Sequence, residues 1–180
     1  MRKATVYMAV SLDGYIADKH GGVDWLGGNL EDSDSMGSYP QFIETIDTII
    51  LGYKTYHQIK AELSPNKWIY QGKTSYVVTH RMEPSTPEIR FVSESPAGLI
   101  ARLKAESGKD IWICGGASMV NQLMASGLID RFHFTVIPII LGDGIRLFEP
   151  HPLQIRLRLV STTPYGDMVD LVYEPINQTV

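Results

Sequence analysis

The stretch DIWICGGASMVNQLM, residues 110–124, sets an apolar run (Ile111, Trp112, Ile113, Cys114) directly against two adjacent glycines, Gly115 and Gly116. Small residues follow, and then an apolar stripe at Val120, Leu123 and Met124. A short continuous apolar run predicts a strand covered on both faces, and the stripe predicts an amphipathic helix packed against it. Glycines between the two let the backbone turn tightly and approach another molecule closely, because no Cβ intervenes. The helix begins at the same point, so its unpaired N–H groups and positive dipole end converge there. That arrangement suits a phosphate. Close packing of helix on strand without a ligand is the competing reading of this motif alone. A side chain at Gly116 is expected either to block the phosphate or to force a backbone angle that only glycine adopts cheaply.

Two further stretches have the same design. IILGYKTYHQI (49–59) runs from a buried strand through Gly52 to a helix start, where Thr55 offers a hydroxyl and Lys54 a charge. VVTHR (77–81) ends a third strand with Thr79, His80 and Arg81. Ligands of open α/β sheets bind outside the carboxyl ends of the strands. Three such ends carrying glycine, threonine or basic residues suit a ligand with several phosphates, and a dinucleotide better than a single phosphate. In SLDGYIA (11–17), Asp13 stands where the first strand ends and Gly14 turns the chain. Its carboxylate is a candidate for proton transfer or substrate orientation in the same cleft, the alternative being a turn cap.

The remaining pattern places these motifs in a fold. Strands are expected over 3–12, 47–52, 74–79, 88–92, 131–141, 155–163 and 167–175, in addition to the opening one. Helices are expected over 40–45, 53–63 and 95–108, the last with Ser95 as cap, Pro96 at its first position and Gly108 at its end. Residues 21–38, rich in Gly and Asp, read as a long loop. Its acidic residues Glu31, Asp32 and Asp34 read as solvated. Strands alternate with helices to about residue 130 and then follow one another. The expected fold is therefore α/β, a mainly parallel sheet finished by an antiparallel hairpin at one edge.

The chain has 180 residues, 44% of them hydrophobic, which fits a single domain that buries roughly 70% of its unfolded surface. A formal charge of −4 argues against a nucleic-acid partner, which wants a basic footprint. The single cysteine, Cys114, excludes an internal disulfide and reads as a small buried hydrophobe. The five histidines are scattered and form no zinc-type cluster, so no metal is expected. No apolar stretch approaches the roughly 18 residues of a membrane span. The expectation is a soluble cytoplasmic protein acting on a small molecule.

VSLDGYIA (10–17), LGYKTY (51–56), YVVTHR (76–81), IWICGGASMVNQLMASGLIDRF (111–132) and VIPIILGDGIRLF (136–148) carry a resemblance. Together they resemble the dihydrofolate reductase superfamily, in the branch of the reductase domain of bifunctional riboflavin-biosynthesis proteins and its stand-alone relatives. The resemblance implies a three-layer fold with about eight strands, and NADPH held across their ends. Gly115, Gly116, Ala117 and Ser118 would line its pyrophosphate. Gly52, Lys54 and Thr55 would start a second phosphate-facing helix, and Thr79, His80 and Arg81 would face the adenosine side. Where the family commonly has arginine after the LG glycine, this chain has Tyr53, so the 2′-phosphate would fall to Lys54, His80 and Arg81. Asp13 would lie near substrate and nicotinamide. GGVDWLGG (21–28) resembles the mobile loop over the nicotinamide, making Asp24 and Trp25 candidate substrate contacts, with Tyr39 in the cleft wall. The implied activity is NADPH-dependent reduction of a small heterocyclic or carbonyl compound. A riboflavin-pathway 5-amino-6-(ribosylamino)uracil-type reductase and a catalytically silent NADP-binding module are the alternatives. A homodimer is expected, through the long apolar final strands and in keeping with the resembling stand-alone reductases.

Overall fold

A computed structural model of the chain describes residues 1–27, 37–152 and 154–176; Glu31, Asp32 and Asp34 lie outside the described residues. The strands are β1 (Ala4–Ser11), β2 (Tyr15–Ala17), β3 (Ile46–Gly52), β4 (Thr74–Val78), β5 (Ile89–Val92), β6 (Asp110–Gly115), β7 (Arg131–Ile137), β8 (Ile145–Arg146), β9 (Leu157–Tyr165) and β10 (Met168–Pro175). The helices are α1 (Tyr39–Thr45), α2 (Tyr53–Gln58), α3 (Pro96–Ala105) and α4 (Ala117–Ala125).

Eight strands form one sheet in the order β5-β4-β3-β6-β1-β7-β10-β9. Neighbours from β5 to β7 run parallel, and β10 is antiparallel to both β7 and β9. The expected parallel sheet with its C-terminal hairpin is therefore present. Its parallel strands read as nearly unbroken apolar runs because helices cover both faces. On one face, Leu99, Ile100 and Leu103 of α3 and Met119, Val120 and Leu123 of α4 bury against Val6, Ile50, Ile111 and Ile113. Each fully buried aliphatic side chain contributes about 1.5–3 kcal/mol. On the other face, Tyr7, Ile49, Leu51, Val77 and Trp112 meet Phe42 of α1, together with Ile59, Trp68 and Tyr70.

Local signals set several boundaries. The Ser95 hydroxyl accepts from the Gly98 N–H at 3.1 Å and starts α3, while Pro96 tolerates the first position because its missing N–H would be unpaired there. α3 stops at Ala105, short of Gly108. The helix expected over 53–63 is α-helical only to Gln58. It continues as a π-turn over Ile59–Leu63, closed by a bond from Ser64 N to Ile59 O at 2.8 Å. β7 ends at Ile137 rather than 141, since Pro138 has no N–H to donate to a ladder. The chain then doubles back, and β8 pairs with β2 in a separate two-stranded sheet that the sequence pattern does not reveal.

The strands expected to form an exposed dimer edge do not lie at an edge. β7 is enclosed between β1 and β10, and β10 between β7 and β9. The edges are β5 and β9, and at the antiparallel end β9 leaves Leu157 36%, Leu159 50% and Val160 47% exposed. Among the described residues, no helix is long and apolar enough to cross a membrane.

Candidate functional site

Parallel pairing brings the three glycine- or threonine-bearing strand ends to one side of the sheet. Leu51 pairs with Gly115 across β3 and β6, and Gly52 pairs with Val78 across β3 and β4, so Thr79 follows directly beside Gly52. A Cβ built on Gly52 would stand 3.8 Å from both Gly115 O and Gly116 N. The Thr55 hydroxyl lies 3.5 Å from where a Gly116 Cβ would sit. These residues form a glycine-lined notch, with the Thr55 hydroxyl and the Met119 methyl group in its wall. α4 opens onto it with Gly116 as N-cap and no side-chain cap, so its first N–H groups are left for a ligand or solvent, with Ala117 and Ser118 in the first turn. Such a notch fits the pyrophosphate of a dinucleotide.

The two glycines differ in what they require. Gly115 has φ +125° and a Cβ there would meet Met8 Cε at 3.2 Å, so it must be glycine for the fold. Gly116 is extended (φ −81°, ψ −168°) and has room for a Cβ. The backbone-angle reading of Gly116 is therefore corrected: that demand falls on Gly115. The peptide between them is cis.

Beyond β4, Arg81 N donates to the Thr79 hydroxyl at 3.1 Å, and the Arg81 guanidinium lies 4.5 Å from the centre of the Tyr53 ring. Lys54 and His80 are exposed at the same strand ends.

Asp13 follows the end of β1. Its Oδ1 accepts from the Ser11 hydroxyl at 2.7 Å and Leu141 N–H at 3.1 Å, and its Oδ2 from Gly142 N–H at 2.8 Å. Ser11, not Asp13, caps the turn, accepting from Tyr15 N–H at 2.9 Å. Desolvation raises the pKa of Asp13, but the bonds from Ser11, Gly142 and Leu141 outweigh it and hold the carboxyl below its ordinary range. Asp13 is thus ionised at neutral pH and ties the 138–144 loop to the end of β1.

Asp24 and Trp25 lie in a 3₁₀ turn, Asp24–Leu26. The segment is held to α2 by Gln58 Nε2 donating to Gly21 O at 2.8 Å. The Trp25 indole N–H is buried without a partner among the described residues. Tyr39 opens α1, its ring 5.9 Å from those of both Tyr7 and Trp112. Burial, with Cys114 and Tyr7 nearby, pushes its phenol up to about 12. Burial also pushes the Cys114 thiol up to about 12, which makes it a poor nucleophile.

One constellation escapes sequence reading. Asp170 of β10, 2% exposed, accepts from the Thr135 hydroxyl at 2.6 Å and from Ser38 N–H at 3.2 Å, and also bonds the Ser38 hydroxyl. His133 Nε2 lies 3.2 Å from Asp170 Oδ2 and 2.9 Å from Ser38 Oγ. Tyr7 Oη is 3.5 Å from Thr135 Oγ1. The trio is not a nucleophilic triad, because carboxylate and hydroxyl compete for the same imidazole nitrogen. It anchors the start of α1 beneath the aromatic wall of Tyr7, Tyr39 and Trp112. The one available signal was a lone Asp at alternate spacing in the apolar run MVDLVY (168–173).

The chain is 43% identical over 173 residues, 96% of its length and 97% of the relative's, to the uncharacterized protein YwjB of Bacillus subtilis (strain 168). A crystal structure of a candidate riboflavin biosynthesis protein of Shewanella sp. PV-4 superposes with a TM-score of 0.80 at 26% identity, covering 97% of this chain and 99% of that one. Dihydrofolate reductase of Enterococcus faecalis, solved with NADP(H), superposes with a TM-score of 0.69 at 17% identity over 96% of each chain, a likeness of fold. The sequence profile of the RibD C-terminal domain matches residues 2–171. The parallel sheet, its antiparallel hairpin and this match agree: the chain belongs to the RibD C-terminal domain family.

Proposed function

We propose that the protein is an NADPH-dependent reductase that delivers a hydride to a small heterocyclic or carbonyl compound in the cytoplasm. The observation that carries this reading is the glycine-lined notch where Gly52 meets Gly115 and Gly116 at the start of α4, with Thr55 and Met119 in its wall. Gly115, Gly116, Ala117 and Ser118 would hold the pyrophosphate through backbone N–H groups, while Gly52, Lys54 and Thr55 supply a second phosphate contact. Thr79, His80 and Arg81 would take the adenosine end. NADPH supplies the hydride when bound. Family membership and a neighbour of the same fold solved with NADP(H) support the choice of cofactor.

Tyr39, partly exposed and packed with Cys114 against the buried Tyr7–Trp112 cluster, would offer a ring on which a planar substrate stacks. Asp24 and Trp25 would approach the substrate from the 21–27 segment. Asp13 serves here as a positioning residue, because its carboxylate is ionised and already engaged by three donors. A ribosylated aminopyrimidine is the narrower substrate choice, and the family match favours it. The protein would work as a homodimer through the β9 edge.

The test is fluorescence titration with NADPH alongside NADPH oxidation against a panel of aminopyrimidine, pterin and carbonyl substrates. Binding with turnover is expected, and Arg81→Ala should weaken NADPH by about 1–3 kcal/mol. Absence of NADPH binding overturns the reading. Binding without turnover on any substrate leaves a binding module instead.

A further inference from the structure

The adenosine corner holds two opposite charges, Arg81 and Glu83, and one aromatic residue that touches both. The Arg81 guanidinium lies over the face of Tyr53, 4.5 Å from the ring centre. The Tyr53 hydroxyl donates to Glu83 Oε1 at 3.0 Å. That hydrogen bond raises the Tyr53 pKa, with lesser contributions from desolvation and the Glu83 charge. The ring itself is backed by Tyr56 at 5.9 Å, which meets Phe91 of β5 edge-on at 5.2 Å. Arg81 is also fixed from its own backbone, through its N–H to Thr79.

The chemistry of this corner is a choice between two cofactors. A carboxylate beside an adenosine ribose accepts from a free 2′-hydroxyl and so favours NAD, whereas an arginine accommodates a 2′-phosphate and favours NADP. This chain carries both groups two residues apart in sequence, so their presence alone does not decide. What separates them is Tyr53. Its ring supports the cation through a cation–π contact. Its hydroxyl occupies one oxygen of the anion, which would otherwise be free to accept from the ribose hydroxyl.

We propose that Tyr53 is the specificity-determining residue of the dinucleotide site, holding Arg81 for a 2′-phosphate while withholding Glu83 from the ribose hydroxyl. This rests on the NADPH reading above. It assigns a use to the position where the chain departs from the arginine common in the resembling family.

The experiment is fluorescence titration of NADPH and NADH against wild type, Tyr53→Phe, Glu83→Gln and the double variant, with the thermal midpoint measured for each. Tyr53→Phe keeps the ring under Arg81 and frees Glu83. The NADPH-to-NADH preference should fall roughly three- to tenfold, the scale of one hydrogen bond, with the midpoint unchanged. The double variant should regain the wild-type preference, because the released carboxylate is gone. An unchanged preference in Tyr53→Phe, or no recovery in the double variant, overturns the proposal while NADPH binding itself stands. Wild type binding neither dinucleotide overturns both readings together.

Discussion

The Thr135 hydroxyl donates to Asp170 Oδ1 at 2.6 Å across the antiparallel pairing of β7 and β10, on the sheet face that carries α1. Around that carboxylate, desolvation acts to raise the pKa, and the bonds from His133, Ser38 and Thr135 overcome it and leave the value lowered. A carboxyl with a lower pKa folded than unfolded contributes stability that is fully present above the unfolded value, about 3.9. It is lost as pH falls through the lower folded value. Asp170→Asn should cost about 1–3 kcal/mol at neutral pH, measured by urea unfolding. The gap between variant and wild type should narrow below about pH 4, where wild type loses the same contribution. A gap that stays constant into acid would show that the carboxylate charge is not what holds α1.

Gly115 and Gly116 should separate folding from binding. Gly115→Ala places a Cβ at φ +125° and 3.2 Å from Met8 Cε, and should cost about 1–3 kcal/mol of stability, lowering the thermal midpoint. Gly116→Ala meets nothing nearer than Thr55 Oγ1 at 3.5 Å and should keep the wild-type midpoint. Its NADPH affinity should nevertheless fall about tenfold or more, because the Cβ stands in the notch. Normal affinity in folded Gly116→Ala would place the phosphate elsewhere.

Asp13→Asn should leave NADPH binding within about twofold and lower turnover. The side chain holds Leu141 and Gly142 rather than the notch, so the substitution disturbs the 138–144 loop and not the phosphate contacts. One amide oxygen replaces two carboxylate oxygens, and at least one of three donors loses its acceptor. Turnover should show no inflection near neutral pH that Asp13→Asn removes, since the carboxyl is already ionised there. Wild-type turnover in the variant would leave Asp13 with a role in loop packing alone.

The β9 edge should mediate dimerisation. Light scattering at micromolar concentration should give twice the 20.1 kDa chain mass. Leu159→Lys should return it to the monomer, because a lysine on an open strand edge opposes pairing with a second copy. A monomeric wild type, or a variant that stays dimeric, would move the interface away from this strand.

Much of the fold was readable because its signals are local. Ile111 to Cys114 followed by glycines, and Ser95 and Pro96 at a helix start, each act within a few residues. The alternation of strand and helix up to residue 130 made the sheet parallel, and the consecutive strands after it made the hairpin. The glycine and threonine strand ends were legible for the same reason, since parallel strands with crossover helices leave their carboxyl ends on one side.

What periodicity does not contain is which strand lies beside which, and the tertiary structure decided everything that depends on it. The order β1-β7-β10-β9 put the long apolar strands inside the sheet and left β9 at the edge. It brought Ser38 to Asp170, 132 residues apart, and Asp13 to Gly142, 129 apart. The choice between Gly115 and Gly116 as the conformationally required glycine likewise needed backbone angles. The sequence linked Tyr53 and Arg81 through the adenosine end of the cofactor, but Glu83 joined them only when β3 and β4 paired and set the phenol between the two charges. Local pattern specifies elements because burial and capping act over one or two turns, whereas a polar contact depends on the sheet order that closes the long loop between its partners.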